Sequence, residues 1–282
     1  MLTVLEVIKK TADFLEAKGI EGGRLNAEIL IGHALGLKRM QLYLQFERGL
    51  TEPELDKIRL LVRRRGQREP VQYIVGETDF GGLKLKTDRR ALIPRPETER
   101  LVEILVERWA GQPPAQVLDL GTGGGAIALA LAQAWPGAAF TALDASEEAL
   151  ALARENAVAT GHSARVTFLK SDWLAAVPAE ARFDLIVANP PYLSEAETAQ
   201  ALPEVRGFEP VSALSSGKDG MAALREILRA APPFLAPGGM LALETGPEQH
   251  GELRTLAAAC GLAAAESLKD LPGRDRFFLA RR

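Results

Sequence analysis

Residues 119–126 read Asp119-Leu120-Gly121-Thr122-Gly123-Gly124-Gly125-Ala126. This stretch begins within the predicted buried strand at 117–120 and leads into an alanine-rich segment, so it is predicted to join that strand to a helix. Glycines at such a junction permit positive φ and let a ligand approach the backbone closely. The stretch therefore predicts a ligand-binding loop at the carboxyl end of a strand, and this loop decides the fold class.

Strands and helices alternate from this loop to the end of the chain. The predicted strands lie at 117–120, 139–143, 166–169, 183–188, 240–244, 264–268 and 277–280. The predicted helices lie at 126–134, 147–160, 221–231 and 248–259. Such alternation predicts a doubly wound, mainly parallel α/β sheet, in which ligands bind at the carboxyl ends of the strands.

The part of the chain before the sheet has a different pattern. Apolar residues at helical spacing predict short helices in residues 1–71. Residues 72–95 begin with aromatic and β-branched residues that alternate with polar ones, and Gly81-Gly82 marks a turn, so a β-hairpin linker is predicted there. We therefore predict a small N-terminal helical domain at 1–71, a linker at 72–95 and the α/β domain at 96–282.

Composition limits the classes of function. The chain has 282 residues, 47% of them hydrophobic, and a net charge of -3, which gives no whole-chain electrostatic reason to bind nucleic acid. We interpret Arg63-Arg64-Arg65 as a solvated helix end rather than a nucleic-acid patch. The single Cys260 and three scattered histidines predict no disulfide and no metal site. Neither a signal peptide nor an apolar run of about 18 residues is found, so we expect a cytoplasmic protein without membrane association.

The glycine loop alone fits more than one cofactor. The spacing of Gly121, Gly123 and Ala126 satisfies the loose dinucleotide fingerprint, so a nicotinamide-dependent oxidoreductase stays possible at this point. Asp144 ends the next strand, where its carboxylate can accept hydrogen bonds from both hydroxyls of a ribose. Its alternative role, capping the following helix, suits Ser146 better.

The segment Ser171-Asp172-Trp173 follows the third predicted strand. Asp172 can accept a hydrogen bond from an adenine amino group, and Trp173 can pack on the adenine ring. A helix cap and a core aromatic side chain explain these two residues equally well when each is considered alone. We include both among the candidate cofactor-binding residues.

The most specific motif is Asn189-Pro190-Pro191-Tyr192, which follows the apolar strand at 185–188. A planar nitrogen is a poor nucleophile because its lone pair is delocalised, so an enzyme that modifies it must orient that lone pair. The Asn189 side-chain oxygen and the Pro190 carbonyl can hold its two N–H groups, and the consecutive prolines keep this backbone extended. Tyr192 can stack on the flat group and exclude water. The alternative, an ordinary Asn-Pro turn, is weakened by the position of the motif after a strand.

Together these motifs resemble the class I, Rossmann-like methyltransferases. The Asn-Pro-Pro-Tyr motif is shared by amino-methylating enzymes that act on adenine and on glutamine. More specifically, the chain resembles the release factor glutamine methyltransferase (PrmC/HemK) family over nearly its whole length. Further matching segments are Arg68-Glu69-Pro70, Gly76-Glu77 through Phe80, Leu92-Ile93-Pro94-Arg95-Pro96-Glu97-Thr98-Glu99 and Phe208-Glu209-Pro210. Gly124 stands where a threonine is frequent, a difference that leaves backbone contacts unchanged.

The resemblance implies a cofactor, a substrate and a role for each part of the site. The cofactor is S-adenosyl-L-methionine, and the substrate is the glutamine of the Gly-Gly-Gln loop of peptide chain release factors, methylated on N5. The resemblance implies cofactor contacts from Gly121, Thr122, Gly123, Gly124, Gly125, Asp144, Trp173 and Asn189, to which we add Asp172. It implies that the glutamine is held by Asn189, Pro190, Pro191 and Tyr192. The N-terminal helical domain is expected to recognise the protein substrate.

Two other activities are considered. A nucleic-acid adenine-N6 methyltransferase shares the Asn-Pro-Pro-Tyr motif, but it needs a basic surface and a pocket for a flipped base. The acidic net charge and the absence of an obvious target-recognition insertion argue against it. An oxidoreductase is disfavoured because no Tyr/Lys or His/Asp pair accompanies the glycine loop. The intact Asn-Pro-Pro-Tyr motif argues against a binding module without catalysis.

Overall fold

The computed structural model, which describes residues 1–282, contains twelve α-helices and nine strands. The helices are α1 (Val4–Ala17), α2 (Gly23–Leu35), α3 (Arg39–Tyr43), α4 (Glu52–Gly66), α5 (Val71–Val75), α6 (Pro96–Arg108), α7 (Ala126–Ala134), α8 (Glu147–Ala159), α9 (Glu195–Gln200), α10 (Pro203–Phe208), α11 (Ala222–Ala230) and α12 (His250–Ala259). The strands are β1 (Glu77–Phe80), β2 (Leu83–Lys86), β3 (Gln116–Leu120), β4 (Ala139–Asp144), β5 (Val166–Lys170), β6 (Phe183–Ala188), β7 (Leu235–Glu244), β8 (Ala263–Lys269) and β9 (Asp275–Arg281). None of the helices is both long and apolar enough to span a bilayer.

Seven of the strands form one sheet in the order β5-β4-β3-β6-β7-β9-β8. The first five strands in this order are parallel, and β9 runs antiparallel to both of its neighbours. The chain moves from β3 outward to β5 and then returns to the other side of β3 with β6. The carboxyl end of β3 is therefore a topological switch point, where ligands bind in open α/β sheets. The predicted strands and the predicted fold class are confirmed.

Both faces of the sheet are covered, which explains the continuous apolar runs of its central strands. In β6, Leu185 and Val187 join one hydrophobic cluster, and Ile186 and Ala188 join a second cluster. Side chains of a strand alternate between the faces, so a strand that is apolar at every position must be buried on both sides. This burial holds β3 and β6 rigidly and gives the loops after them fixed positions.

The chain divides into two units, described separately. The first unit comprises Met1–Glu77 and Leu202–Phe208, and the second comprises Thr78–Ala201 and Glu209–Arg282. The first unit is helical, with a core that includes Val4, Ile8, Ala27, Ile31 and Leu42. The roles assigned above to the predicted domains stay predictions.

The interpretation of Arg63-Arg64-Arg65 as a solvated helix end is wrong for Arg65. This side chain is buried; its Nε donates to the Asn26 Oδ1 atom at 2.8 Å, and both of its terminal nitrogens donate to Glu204 Oε1 at 3.1 Å. A buried guanidinium needs a paired carboxylate, because desolvation of an unpaired charge is unfavourable. Arg65 therefore serves the packing of the first unit.

The predicted hairpin is wrong for residues 72–75. These residues belong to helix α5, which ends at Gly76 with φ of 81°, and the hairpin comprises only β1 and β2. A left-handed glycine is a common helix end, and it returns the chain to an extended path. The hairpin side chains Phe80, Leu83 and Leu85 lie in the core of the second unit.

Candidate active site

A cavity of about 240 Å³ opens at the carboxyl ends of β3, β4, β5 and β6. Seven residues predicted from the sequence line it: Gly121, Gly123, Asp144, Asp172, Trp173, Asn189 and Pro191. Five others do not line it: Thr122, Gly124, Gly125, Pro190 and Tyr192. The structure thus brings the glycine loop, both aspartates and the start of the Asn-Pro-Pro-Tyr motif to one place.

The glycine loop exposes backbone to this cavity. Gly121 and Gly123 have φ of 69° and 56°, in the left-handed region that favours glycine. A Cβ atom added at Gly121 would lie 3.6 Å from the Trp173 ring, inside the space between the loop and the indole. A flat group of a cofactor can therefore approach the backbone here only because these side chains are absent.

The remaining loop residues hold the loop in shape. The Thr122 hydroxyl donates to Asp119 Oδ2 at 2.6 Å, and the Asn156 side-chain amide donates to the Gly124 carbonyl at 2.9 Å. Gly125 has φ of 87° and begins helix α7. The structure therefore places Thr122, Gly124 and Gly125 in the support of the binding loop, not on the cavity surface.

Asp144 contacts the loop as well as the cavity. Its two carboxylate oxygens accept hydrogen bonds from the backbone amides of Gly123 and Ser146, each at 2.8 Å. Each oxygen retains a further lone pair for a ligand hydroxyl. Helix α8 is capped by Ser146, whose side chain accepts from the Ala149 amide, so Asp144 is not the cap.

Trp173 and Asp172 lie on a turn, with no helix directly after them. Trp173 has φ of 43°, which is a sparsely populated conformation for a bulky side chain and marks local strain. Its indole is partly buried against the second core cluster and lines the cavity. Asp172 is exposed at the cavity edge. The helix-cap explanation for Asp172 is therefore wrong.

Asn189 belongs to a chain of polar contacts that sequence reasoning missed. Its Nδ2 donates to the Thr98 hydroxyl at 2.9 Å, and that hydroxyl donates to Glu244 Oε2 at 2.7 Å. The Tyr192 hydroxyl donates to Glu244 Oε1 at 3.1 Å, and the Arg276 guanidinium lies 5.5 Å from the centroid of the Tyr192 ring. Burial raises the pKa of Glu244, whereas hydrogen bonds from the two hydroxyls and the charge of Arg276 act to lower it.

Two further segments line the cavity. They are 90–92 and 210–213, and sequence reasoning assigned neither to the site on chemical grounds. The two are joined by Glu209, which is buried and accepts from the Ile93 amide at 3.2 Å and from Arg95 at 2.5 Å. The local sequence around Glu209 does not indicate this contact. The only sequence signal is that Glu209 lies in Phe208-Glu209-Pro210, one of the segments that resemble the family.

Asp119 accepts hydrogen bonds from the glycine loop and from helix α7, and its contribution to stability depends on pH. The side chain is fully buried, and burial raises its pKa to about 7, against hydrogen bonds from Thr122 and the Ala128 amide. An aspartate in the unfolded chain has a pKa of about 3.9, so the carboxyl group of Asp119 binds its proton more tightly in the folded state. The resulting stabilisation is complete below about pH 4 and is lost as the pH rises to about 7.

We therefore expect the stability of the wild type relative to Asp119→Asn to fall between about pH 4 and pH 7, by at most about 4 kcal/mol. The asparagine keeps an acceptor for Thr122 but cannot ionise. Urea denaturation of both proteins across this range measures the difference in the free energy of unfolding. A difference that stays constant with pH would contradict the assignment.

The chain is similar to known proteins over its whole length. Residues 6–76 match the family described as the PrmC N-terminal domain, and residues 97–205 match the methyltransferase small domain. The chain is 44% identical to the release factor glutamine methyltransferase of Chlorobaculum tepidum, over 97% of this chain and 95% of the relative. It is 40% identical to the release factor glutamine methyltransferase of Moorella thermoacetica, over 100% of this chain and 99% of the relative. A solved methyltransferase structure from Pyrococcus furiosus is similar in fold, with a TM-score of 0.52, 21% identity, and coverage of 71% of this chain and 88% of that chain.

Proposed function

Because the chain belongs to the release factor glutamine methyltransferase family, we propose that it methylates N5 of the glutamine in the Gly-Gly-Gln loop of peptide chain release factors. The methyl donor is S-adenosyl-L-methionine, and the products are N5-methylglutamine and S-adenosyl-L-homocysteine. One observation carries the proposal: Asn189 and Pro191 line the same cavity as Gly121, Asp144 and Trp173. An amide-holding motif thus lies directly beside groups suited to an adenosine cofactor.

The residues of the cavity fit this cofactor. The backbone of Gly121 and Gly123 leaves room for it, and Asp144 offers acceptors for the ribose hydroxyls. Trp173 presents its indole to the same space, where it can pack on the adenine ring, and Asp172 lines this space with a carboxylate that can accept from an adenine amino group. When bound, the cofactor supplies an electrophilic methyl carbon attached to a sulfonium.

The protein's part in the reaction is orientation. The Asn189 side-chain oxygen would accept one N–H of the substrate amide. Pro190 does not line the cofactor cavity, so its carbonyl would accept the other N–H from the substrate side of the motif, next to Pro191. Together the two acceptors would turn the nitrogen lone pair toward the methyl carbon. The chemistry that the bound cofactor would supply is transfer of the methyl carbon from sulfur to this nitrogen, and the alkylated, more acidic nitrogen would then lose its proton to water. Positioning of this kind needs no strong base.

The role of Tyr192 needs revision in the light of its contacts. Its hydroxyl is committed to Glu244, one face of its ring lies near Arg276, and the side chain does not line the cavity. Replacement by phenylalanine would leave the buried Glu244 without one of its two donors, so we expect the hydroxyl of Tyr192 to matter as well as its ring. Tyr192 and Pro191 would border the substrate glutamine rather than the cofactor.

The remaining assignments follow from the family. We propose peptide chain release factors as the protein partners, recognised by the N-terminal helical region, and a cytoplasmic location. The relatives named above are glutamine methyltransferases, so methylation of adenine in nucleic acid is not favoured.

Transfer of a labelled methyl group tests the activity. The protein is incubated with methyl-labelled S-adenosyl-L-methionine and, in separate samples, a release factor, DNA and RNA. We expect label on the release factor alone, at the Gly-Gly-Gln glutamine by peptide mass spectrometry. A release factor whose glutamine is replaced by asparagine is the matched control. Label on nucleic acid, or none on the release factor, would contradict the proposal.

The same assay tests the role of the N-terminal helical region. The variant that lacks this region should begin at Thr78, because a start after the hairpin would remove Phe80, Leu83 and Leu85 from the core of the second unit. We expect this variant to bind cofactor by calorimetry but to label a release factor poorly. Full activity of a folded variant on the intact release factor would show that recognition lies elsewhere.

A further inference from the structure

Asn189 is joined by hydrogen bonds to two buried polar residues, Thr98 and Glu244, that have no part in the function proposed above. Thr98 and Glu244 are 4% and 1% exposed, and each is within hydrogen-bonding distance of the next group in the chain. We infer that Thr98 and Glu244 are positioning residues that determine which end of the Asn189 amide faces the substrate. This inference rests on the proposed function.

The direction of the hydrogen bonds follows from the groups themselves. Two hydroxyls donate to Glu244, one to each of its oxygens, so both oxygens act as acceptors, and a hydroxyl has only one proton to give. Thr98 gives that proton to Glu244 and therefore presents only lone pairs to Asn189. Only the amino end of the Asn189 amide can satisfy those lone pairs, so the oxygen is left to face the cavity.

The reverse orientation of Asn189 is unfavourable. It would place the amide oxygen against the oxygen of the buried Thr98 side chain with no proton between them. Glu244 cannot relieve this, because both of its oxygens act as acceptors, from Thr98 and Tyr192, and neither supplies the missing proton. An asparagine turned the wrong way would point N–H groups at the N–H groups of the substrate amide. The hydrogen bonds that link Asn189, Thr98 and Glu244 thus disfavour an orientation of the Asn189 amide that could not hold the substrate.

Rigid elements carry each group of the chain. Strands β6 and β7 are parallel neighbours with Ala188 opposite Leu243, so the next residues, Asn189 and Glu244, emerge side by side. Thr98 lies in the first turn of helix α6, whose buried face packs in the core of the second unit. Groups on packed strands and helices hold their geometry better than groups on free loops.

Thr98→Val and Thr98→Ser form a matched pair. Valine keeps the shape without the hydroxyl, whereas serine keeps the hydroxyl. We expect Thr98→Val to lower kcat roughly tenfold with little change in the KM for cofactor, and Thr98→Ser to restore most of the activity. Equal activity of the two variants and the wild type would overturn the inference.

Glu244→Gln serves as a second variant if Thr98→Val does not fold. The new amide can donate to Thr98, which frees the threonine proton for the Asn189 oxygen and reverses the chain. We expect kcat to fall while calorimetric cofactor binding is retained. Because the glutamine can also keep its oxygen toward Thr98, the exchange of the Asn189 side-chain amide with water is measured in the same variant. A Glu244→Gln protein with rapid exchange and unchanged kcat would overturn the inference.

A double-mutant cycle separates positioning from a general structural role. If Thr98 acts through Asn189, adding Thr98→Val to Asn189→Ala should produce no further loss of kcat. A structural role would lower kcat by the same factor in both backgrounds, and that result would overturn the inference.

A measurement without catalysis distinguishes this inference from the proposed function. In ¹⁵N-labelled protein, the side-chain amide of Asn189 is identified by its absence in Asn189→Ala. One of its protons should exchange slowly with water in the wild type and in Thr98→Ser, and rapidly in Thr98→Val. Equal exchange in all three overturns the inference. Slow exchange in a wild type that labels no release factor would support the inference while the proposed function fails.

Discussion

Replacement of Asn189 by alanine is expected to lower turnover at saturating cofactor by about a hundredfold or more. The change removes the acceptor for one amide N–H of the substrate but leaves both prolines and the backbone in place. Thr98 keeps its bond to Glu244, so the fold should be little affected. Single-turnover methylation of a release factor at saturating S-adenosyl-L-methionine measures the effect without interference from weaker cofactor binding.

Asn189→Asp is the control for this change. Aspartate retains an acceptor oxygen but cannot donate to Thr98, and its charge alters the field at the sulfonium and the desolvation of the site. We expect it to rescue turnover only in part. Normal single-turnover rates for Asn189→Ala, with an unchanged unfolding temperature, would require us to abandon amide orientation by this side chain.

Replacement of Asp144 by alanine is expected to weaken cofactor binding by roughly a hundredfold or more, because charge-assisted hydrogen bonds to the ribose are lost. The structure adds a second reason. Asp144 also accepts from the Gly123 amide, so its removal frees the loop that contacts the cofactor. Isothermal titration calorimetry with S-adenosyl-L-methionine measures the affinity directly.

Asp184→Ala is the matched control for Asp144→Ala. Asp184 also accepts from two backbone amides, those of Ala115 and Gln116. It lies at the amino end of β6, however, whereas the cavity lies at the carboxyl ends of the strands. We expect it to lower stability without changing cofactor affinity. Equal affinity of Asp144→Ala and the wild type would refute the ribose role. Preferential binding of a nicotinamide dinucleotide would overturn the whole assignment.

Some features were not predictable because local sequence does not encode them. Arg63, Arg64 and Arg65 share the same sequence neighbourhood, yet only Arg65 is buried, because Asn26 and Glu204 approach it from distant parts of the chain. Likewise, residues 72–75 have side chains suited to a strand but form a helix. Propensity is a weak preference that tertiary packing overrides.

The sequence by itself determined the fold class and the position of the site along the chain. Burial on both faces makes residues 185–188 of β6 apolar at every position and most of β3 apolar. The proposed ligand chemistry calls for glycines, a carboxylate and the Asn-Pro-Pro-Tyr motif directly after strands. Only the tertiary structure decided which loop residues face the cavity and which support it. Only the tertiary structure brought Thr98 and Glu244, 146 residues apart, into one hydrogen bond behind Asn189. That contact depends on the pairing of β6 with β7 and on the packing of α6, and no local pattern in the sequence contains this information.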